Sequence, residues 1–157
     1  MEDSRWAGNR RGAIEQFDLV MWTRAQIQTA IEEGADFNVR GSDSMTPLMW
    51  ASMFNRDPEE IKLLVKAGAE VNARDDYGFT PLMFAAEFNQ NPAVILTLLE
   101  AGADANARDN AGNTAFENAR NRRTLQETQV LSTLEQLTDA EEVFQEDFVI
   151  QMTREDL

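Results

Sequence analysis

Three stretches of the chain carry apolar residues at the spacing of an α-helix, and each stretch is followed by a glycine. An apolar stripe of this period predicts an amphipathic helix that buries one face. A glycine just beyond the stripe supplies the left-handed conformation in which helices commonly end. The stripes are Ile27, Ala30 and Ile31 before Gly34; Ile61, Leu64 and Val65 before Gly68; and Ile95, Leu98 and Leu99 before Gly102.

The starts of the predicted helices are marked by a capping residue followed by proline. A polar side chain at the N-cap accepts a first-turn N–H, and the proline after it has no N–H to lose. The pairs are Thr46-Pro47, Thr80-Pro81, Asp57-Pro58 and Asn91-Pro92, and Thr23 occupies the same position in the preceding stretch. Thr23 with Gln26, and Asp57 with Glu60, have the spacing of a capping box. Each unit is therefore predicted to contain two helices.

These segments recur every 34 residues. The heptapeptide GADFNVR at residues 34–40 returns as GAEVNAR at 68–74 and as GADANAR at 102–108. The TPLM at 46–49 returns at 80–83 and is degenerate, TAFE, at 114–117. Residues 34–67 and 68–101 share 15 identities in 34 positions. Internal similarity at such a period indicates stacked units that bury one continuous core.

At these residues the chain resembles the ankyrin repeat, whose pattern is D-x-x-G-x-T-P-L-H-x-A-A, a loop, a second apolar helix and G-A-D-V-N-A. The residues in register with it are Asp75, Gly78, Thr80, Pro81, Leu82, Ala85, Ala86, Gly102, Ala103 and Asp104. The resemblance implies an all-α repeat solenoid of helix-loop-helix units joined by hairpin-like turns. The period of 34 is one residue longer than usual, a variant associated with bacterial members, and the extra residue falls in the loop at 89–92.

The period also predicts how the chain is divided. We expect an N-terminal extension over residues 1–11, an ankyrin-repeat domain over 12–137 and an acidic tail over 138–157. The units run over about 12–33, 34–67, 68–101 and 102–137, and both end units are atypical because one face of each meets water. The first lacks Thr-Pro-Leu, and the last ends in a helix with Val130, Leu131, Leu134 and Leu137 on one face.

Two departures from the family pattern carry predictions. The histidine that bridges neighbouring repeats in the family is replaced by Met49 and Met83, so we expect packing to replace that polar bridge. The first turn reads Gly41-Ser42-Asp43-Ser44, with glycine at the Asp position and serine at the Gly position. We therefore expect this turn to be looser than the turns at 75–78 and 109–112.

The resemblance also implies a binding surface, the concave groove formed by the hairpin tips and the exposed side of the first helix of each unit. We expect an apolar strip there, rimmed by acidic residues that include Asp75. In the alternative interpretation, some of the aromatic side chains belong to the core between repeats, as we expect for Trp50 and Phe84. The predicted groove residues are Asp43, Met45, Met53, Phe54, Asp76, Tyr77, Phe79, Glu87, Phe88, Asn110, Asn113 and Arg122.

Composition excludes most catalytic chemistry. The chain contains no His and no Cys, which removes the Ser-His-Asp and Cys-His nucleophile systems, thiolate and imidazole metal sites and disulfides. Its eight glycines are scattered and do not form a phosphate-binding loop. We therefore expect no enzyme activity and no cofactor. A formal net charge of -14 also argues against nucleic acid and anionic membranes as partners.

The leading hypothesis is a non-enzymatic module that binds a protein or peptide with apolar anchors and basic edges. One alternative is an acidic inhibitor, such as an immunity protein or antitoxin, that neutralises a basic protein. Another is a scaffold that self-associates through the tail, which carries spaced hydrophobic residues and is expected to dock near Arg120, Arg122 and Arg123, in a neighbour's groove, or to remain solvated. We expect a monomer in the cytoplasm, or in the periplasm if a leader has been removed.

Overall fold

A computed structural model of the chain describes residues 23–54, 56–120 and 129–139, and all regular structure in them is helical. A short 3-10 turn at Ser42–Ser44 precedes α2. The N-terminal extension, the first helix of the first unit and the tail beyond Asp139 lie outside the described residues. The helices are α1 (Arg24–Glu32), α2 (Pro47–Phe54), α3 (Pro58–Lys66), α4 (Pro81–Phe88), α5 (Pro92–Glu100), α6 (Ala115–Ala119) and α7 (Gln129–Asp139).

The cap-and-proline pairs predicted the starts of α2 to α5 correctly, and the details of capping differ in two places. Thr23 and Gln26 form the predicted capping box. Asp57 caps α3 through the N–H of Glu59 instead of a capping box with Glu60, so that prediction is wrong. Conversely, the degenerate TAFE segment begins α6 with a capping box between Thr114 and Glu117.

The helices form two layers. The first helices of successive units, α2, α4 and α6, pack side by side, and the second helices, α1, α3 and α5, form a parallel row behind them. Helix α7 closes the array by packing on α6 and α5, with Val130 and Leu134 buried, as expected of a C-terminal cap. The core lies between the layers, and burying each large aliphatic side chain in it contributes about 1.5–3 kcal/mol. Its fully buried members include Ile27, Leu48, Ile61, Leu64, Leu82, Ile95, Leu98 and Leu134.

Packing replaces the missing histidines, as predicted, because Met49 and Met83 are fully buried. Polar bridges between units nevertheless exist, and they are made by asparagines 34 residues apart. The side-chain amide of Asn38 donates to Gly68 O at 2.8 Å, while its oxygen accepts the N–H of Glu70 at 2.8 Å. Asn72 repeats both bonds with Gly102 O (3.0 Å) and the N–H of Asp104 (2.8 Å). Each asparagine thus joins its own unit to the next one.

Arginine and loop residues form further bridges at the same period. Arg40 donates to Arg74 O at 2.7 Å, and Arg74 donates to Arg108 O. In the loops between the two helices of each unit, Asn89 donates to Ser52 O at 2.8 Å and Asn91 to Arg56 O at 2.6 Å. The longer inter-helix loop of the 34-residue period is thereby tied to the loop of the preceding unit.

Neighbouring hairpin turns are also joined by backbone hydrogen bonds. The N–H of Asp76 donates to Asp43 O, and the N–H of Asn110 donates to Tyr77 O, both at 2.9 Å. The first turn, expected to be looser, is closed by a bond from Gly41 N–H to Met45 O at 3.0 Å, as the second is closed from Asp75 to Phe79. Its cost appears in the backbone instead, because Asp43 and Ser44 have φ of 56° and 59°, which non-glycine residues rarely adopt.

The second turn allows this interpretation to be tested at Gly78, where φ is 79°. A Cβ there would lie 2.7 Å from the Arg74 guanidinium, 2.7 Å from Asn110 Oδ1 and 2.9 Å from Asn110 N. Gly78→Ala should therefore lose about 1–2 kcal/mol for the left-handed backbone and about 1–3 kcal/mol more for the contact. Gly112→Ala is the matched control, since φ is 88° but a Cβ meets nothing within 4 Å. Equal losses in urea denaturation would contradict the close approach of the two turns.

The asparagine bridges predict a second pair of stabilities. Asn72→Ala removes two hydrogen bonds between units and should lower the free energy of unfolding by about 1–2 kcal/mol. Asn106 occupies the equivalent position in the last unit, and in the described part of the chain its side chain makes no such bridge. Asn106→Ala should therefore change the stability by less than about 0.5 kcal/mol. Urea denaturation of both variants decides the matter, and similar losses would show that the bridge contributes nothing.

Candidate functional site

Three large hydrophobic side chains are exposed in the described residues, and all three belong to the predicted groove. Phe54 is 47% exposed, Tyr77 61% and Phe88 45%. Phe54 and Phe88 end α2 and α4, two neighbouring helices, at positions exactly one period apart. Tyr77 lies at the tip of the second hairpin turn. Stacking of the units therefore gathers these side chains on the face made by the hairpin turns and the first helices, which we call the groove.

The exposed rings rest on a second apolar cluster that is separate from the core between the helix layers. We call it the groove cluster; it comprises Met45, Met49, Ala73 and Phe84, with the partly buried Trp50, Met53 and Phe79 packed against it. Trp50 stacks on Phe54 with ring centroids 5.8 Å apart. Phe84 contacts Phe88 at 6.2 Å and Phe79 at 5.2 Å. The exposed phenylalanines are thus supported from below by other rings.

The groove cluster changes the assignment of several predicted residues. Met45 was predicted to line the groove, but it is only 8% exposed because it packs against Met49 and Phe84. Met53 and Phe79 are half-buried in the same cluster. Phe84 is buried and Trp50 half-buried, in keeping with the expectation that these two pack between repeats. Phe54, Tyr77 and Phe88 therefore provide most of the apolar surface.

The polar members of the predicted groove fall into three groups. Asp43, Asp76 and Asn110 are exposed at the hairpin tips, and Glu87 and Asn113 are half-buried. Asn110 also has a structural role, since its side-chain amide donates to Asp76 O at 3.0 Å. Arg122 lies outside the described residues.

Two aspartates at equivalent positions have pKa values shifted in opposite directions. Burial raises the pKa of Asp75, and the nearby carboxylates of Asp76 and Asp43 add to this, although the N–H groups of Phe79 and Tyr77 donate to it.

Burial also opposes ionisation of Asp109, but hydrogen bonds outweigh it and its pKa is lowered. The N–H groups of Asn113 and Ala111 and the side-chain amide of Asn118 donate to this carboxylate. Phe84 stands one period before Asn118, so the second turn has no corresponding amide. The second turn is therefore the more strongly acidic part of the hairpin row.

The described residues offer little for chemistry beyond binding. In residues 23–54, 56–120 and 129–139, no group of three or more Asp and Glu side chains is arranged to hold a metal ion. In the same ranges, every helix is too short or too polar to traverse a lipid bilayer. What the face does present is aromatic surface beside carboxylates, which suits the capture of another molecule.

The asparagines and arginines that bridge units were not anticipated as such. Asn38, Asn72, Arg40 and Arg74 all occur in the repeated heptapeptide, so the repetition itself was the available signal. They matter for the site because they set the spacing between hairpin turns.

The contrast between the two aspartates predicts opposite effects of Asp→Asn on stability. The pKa of Asp109 is below its ordinary 3.8, so its contribution is present above that pH and is lost as the pH falls through the folded-state pKa. Asp109→Asn should lower the free energy of unfolding at pH 7 by roughly 1–2 kcal/mol and have less effect in acid.

Asp75→Asn is the matched comparison. Because the pKa of Asp75 is raised above 3.8, its charge costs stability as the pH rises through that window. An asparagine oxygen can still accept the two N–H groups, so Asp75→Asn should leave the stability at pH 7 unchanged or increase it. Urea denaturation at pH 7 and pH 3 measures both, and equal destabilisation by the two variants would contradict the assignment.

Comparison with known proteins agrees with this architecture. A search of curated proteins found no match. A family model described as ankyrin repeats in three copies matches residues 23–109, more than half of the 157 residues. Ankyrin repeats generally mediate protein–protein interaction and are typically non-enzymatic. By its 34-residue units, its two helical layers and this match, the chain belongs to the ankyrin-repeat family.

Proposed function

We propose that this protein is a non-enzymatic module that binds a partner protein or peptide in the groove. The observation that carries the proposal is the position of Phe54, Tyr77 and Phe88, the exposed large hydrophobic residues of the described chain, on one face. Apolar surface gathered in this way is typical of interaction sites, and aromatic residues commonly dominate binding energy. Isolated exposed hydrophobic residues scattered over the surface would carry no such meaning.

The support beneath the rings favours binding energetically. Trp50 against Phe54 and Phe84 against Phe88 restrict the exposed side chains before a partner arrives. A side chain that is already ordered loses less conformational entropy on association, so more of the contact energy appears as affinity. The groove cluster accordingly serves as the platform of the binding face.

The charge around the rings favours a basic partner. Asp43 and Asp76 are exposed at the hairpin tips, and the whole chain carries a net charge of -14. The Arg40 and Arg74 guanidinium groups nearby are directed at backbone carbonyl oxygens of the turns. A partner with apolar anchors and basic flanks would therefore complement this face. We expect the module itself to be monomeric.

The net charge also favours a second candidate, an acidic inhibitor that neutralises a basic protein through its overall field. Such binding should weaken steeply with salt and should not depend on particular aromatic residues. Binding through the apolar groove should depend on Phe54 and Phe88 and retain most of its strength in salt. The self-associating scaffold depends on residues outside the described ranges.

The test uses Phe54→Glu and Phe88→Glu in capture of partners from the native source. Each variant should lower partner capture at least about tenfold, because a charge would be buried without a counter-ion where a ring now makes contact. Both side chains are about half exposed, so thermal unfolding should change little. Gln28→Glu on the exposed face of α1 adds the same charge elsewhere and should leave capture unchanged. Undiminished capture by both phenylalanine variants would place the site elsewhere.

A further inference from the structure

The groove has different chemistry at its two ends, and this difference describes the partner more closely. The inference rests on the proposed function, because it specifies what the same face binds. We propose that the groove takes a single peptide segment whose apolar anchor contacts Phe54 and Phe88 and whose basic residues face Asp43 and Asp76. The anchor and the basic residues would lie about two helical turns apart.

The apolar end is defined by repetition. Phe54 and Phe88 are the last residues of α2 and α4, which pack side by side, and each is supported by a neighbouring ring. Two rings at equivalent positions of adjacent units form a paired apolar contact surface. One aromatic or branched aliphatic side chain can contact both rings, whereas a small or charged side chain would leave them partly hydrated.

The acidic end is defined by the contact between the first two hairpin turns. The N–H of Asp76 donates to Asp43 O at 2.9 Å, so the two residues belong to adjoining tips, and both are exposed. The hydroxyl of Ser44 donates to Asp76 Oδ1 at 2.6 Å and fixes that carboxylate. The raised pKa of Asp75, to which Asp76 and Asp43 contribute, shows that the carboxylates of this cluster repel one another. A guanidinium or ammonium group placed there would relieve the repulsion.

The separation of the two ends follows from helix geometry. Seven residue steps separate Pro81 at the start of α4 from Phe88 at its end, and the same holds for α2. At 1.5 Å per residue this is about 10 Å along the helices, with the hairpin tips beyond the first turn. A helical partner would span it with residues i and i+7. An extended partner would span it with residues about three apart.

Selection from a phage library of random 16-residue peptides tests the proposal. The full chain is the bait, and Phe54→Ser/Phe88→Ser, checked for unchanged thermal unfolding, is the counter-selection. Enriched peptides should carry an aromatic or Leu anchor with Arg or Lys about seven positions away if helical, or about three if extended.

Charge variants then test the acidic end. Asp43→Asn/Asp76→Asn should weaken binding of the enriched peptides about fivefold, since two exposed ion pairs are lost. Glu32→Gln/Glu33→Gln removes two charges from the end of α1 and should change binding by less than about twofold.

The possible outcomes separate this inference from the proposed function. Peptides that require Phe54 and Phe88 but lack basic residues at this spacing would overturn the inference and leave the function standing. Equal effects of the two charge-variant pairs would likewise overturn it, because only the overall charge would then matter. Failure to enrich any peptide that depends on Phe54 and Phe88 would contradict the proposed function itself.

Discussion

The structure depends on the stacking of units that cannot bury their own apolar faces. A pair of helices as short as α2 and α3, eight and nine residues, has too little internal contact to be stable alone. Stacking supplies the missing contact through the continuous core between the two layers. The bridges of Asn38 and Asn72, each bonding both a carbonyl and an N–H of the next unit, fix the distance and register at which the units stack.

The binding face is a consequence of that register. Because each unit repeats its predecessor 34 residues later, Phe54 is carried next to Phe88 and Asp43 next to Asp76. A single feature of one unit thereby becomes a paired feature of the surface. The repeated positions maintain the stack, while the positions that differ, such as Tyr77 and the Ser44 that replaces glycine, give this face its own chemistry. Fold and recognition are therefore encoded in different residues of the same unit.

Sequence reasoning predicted the features that local chemistry determines. Cap-and-proline pairs located the starts of four helices, and the apolar stripes located the core, because both depend on neighbours within one or two helical turns. Met45 was misassigned to the groove because a single apolar residue in a hairpin has no period from which its direction can be derived. The Asp57 cap was misread because Glu60 is buried and accepts a hydrogen bond from the backbone N–H of Arg24, in the preceding unit. Such contacts between units depend on geometry that spacing alone does not contain.

Hydrogen exchange of backbone amides tests the central claim, that side-chain bridges join the units, most directly. The amides of Glu70 and Asp104 lie in exposed loops and donate to Asn38 and Asn72 of the preceding unit. The amide of Asn106 donates to Asp104 within its own loop and serves as the comparison. If the bridges hold the array together, Glu70 and Asp104 should exchange with protection near that of the buried amides of α4, and Asn106 much faster. Exchange of all three at similar, rapid rates would contradict the account.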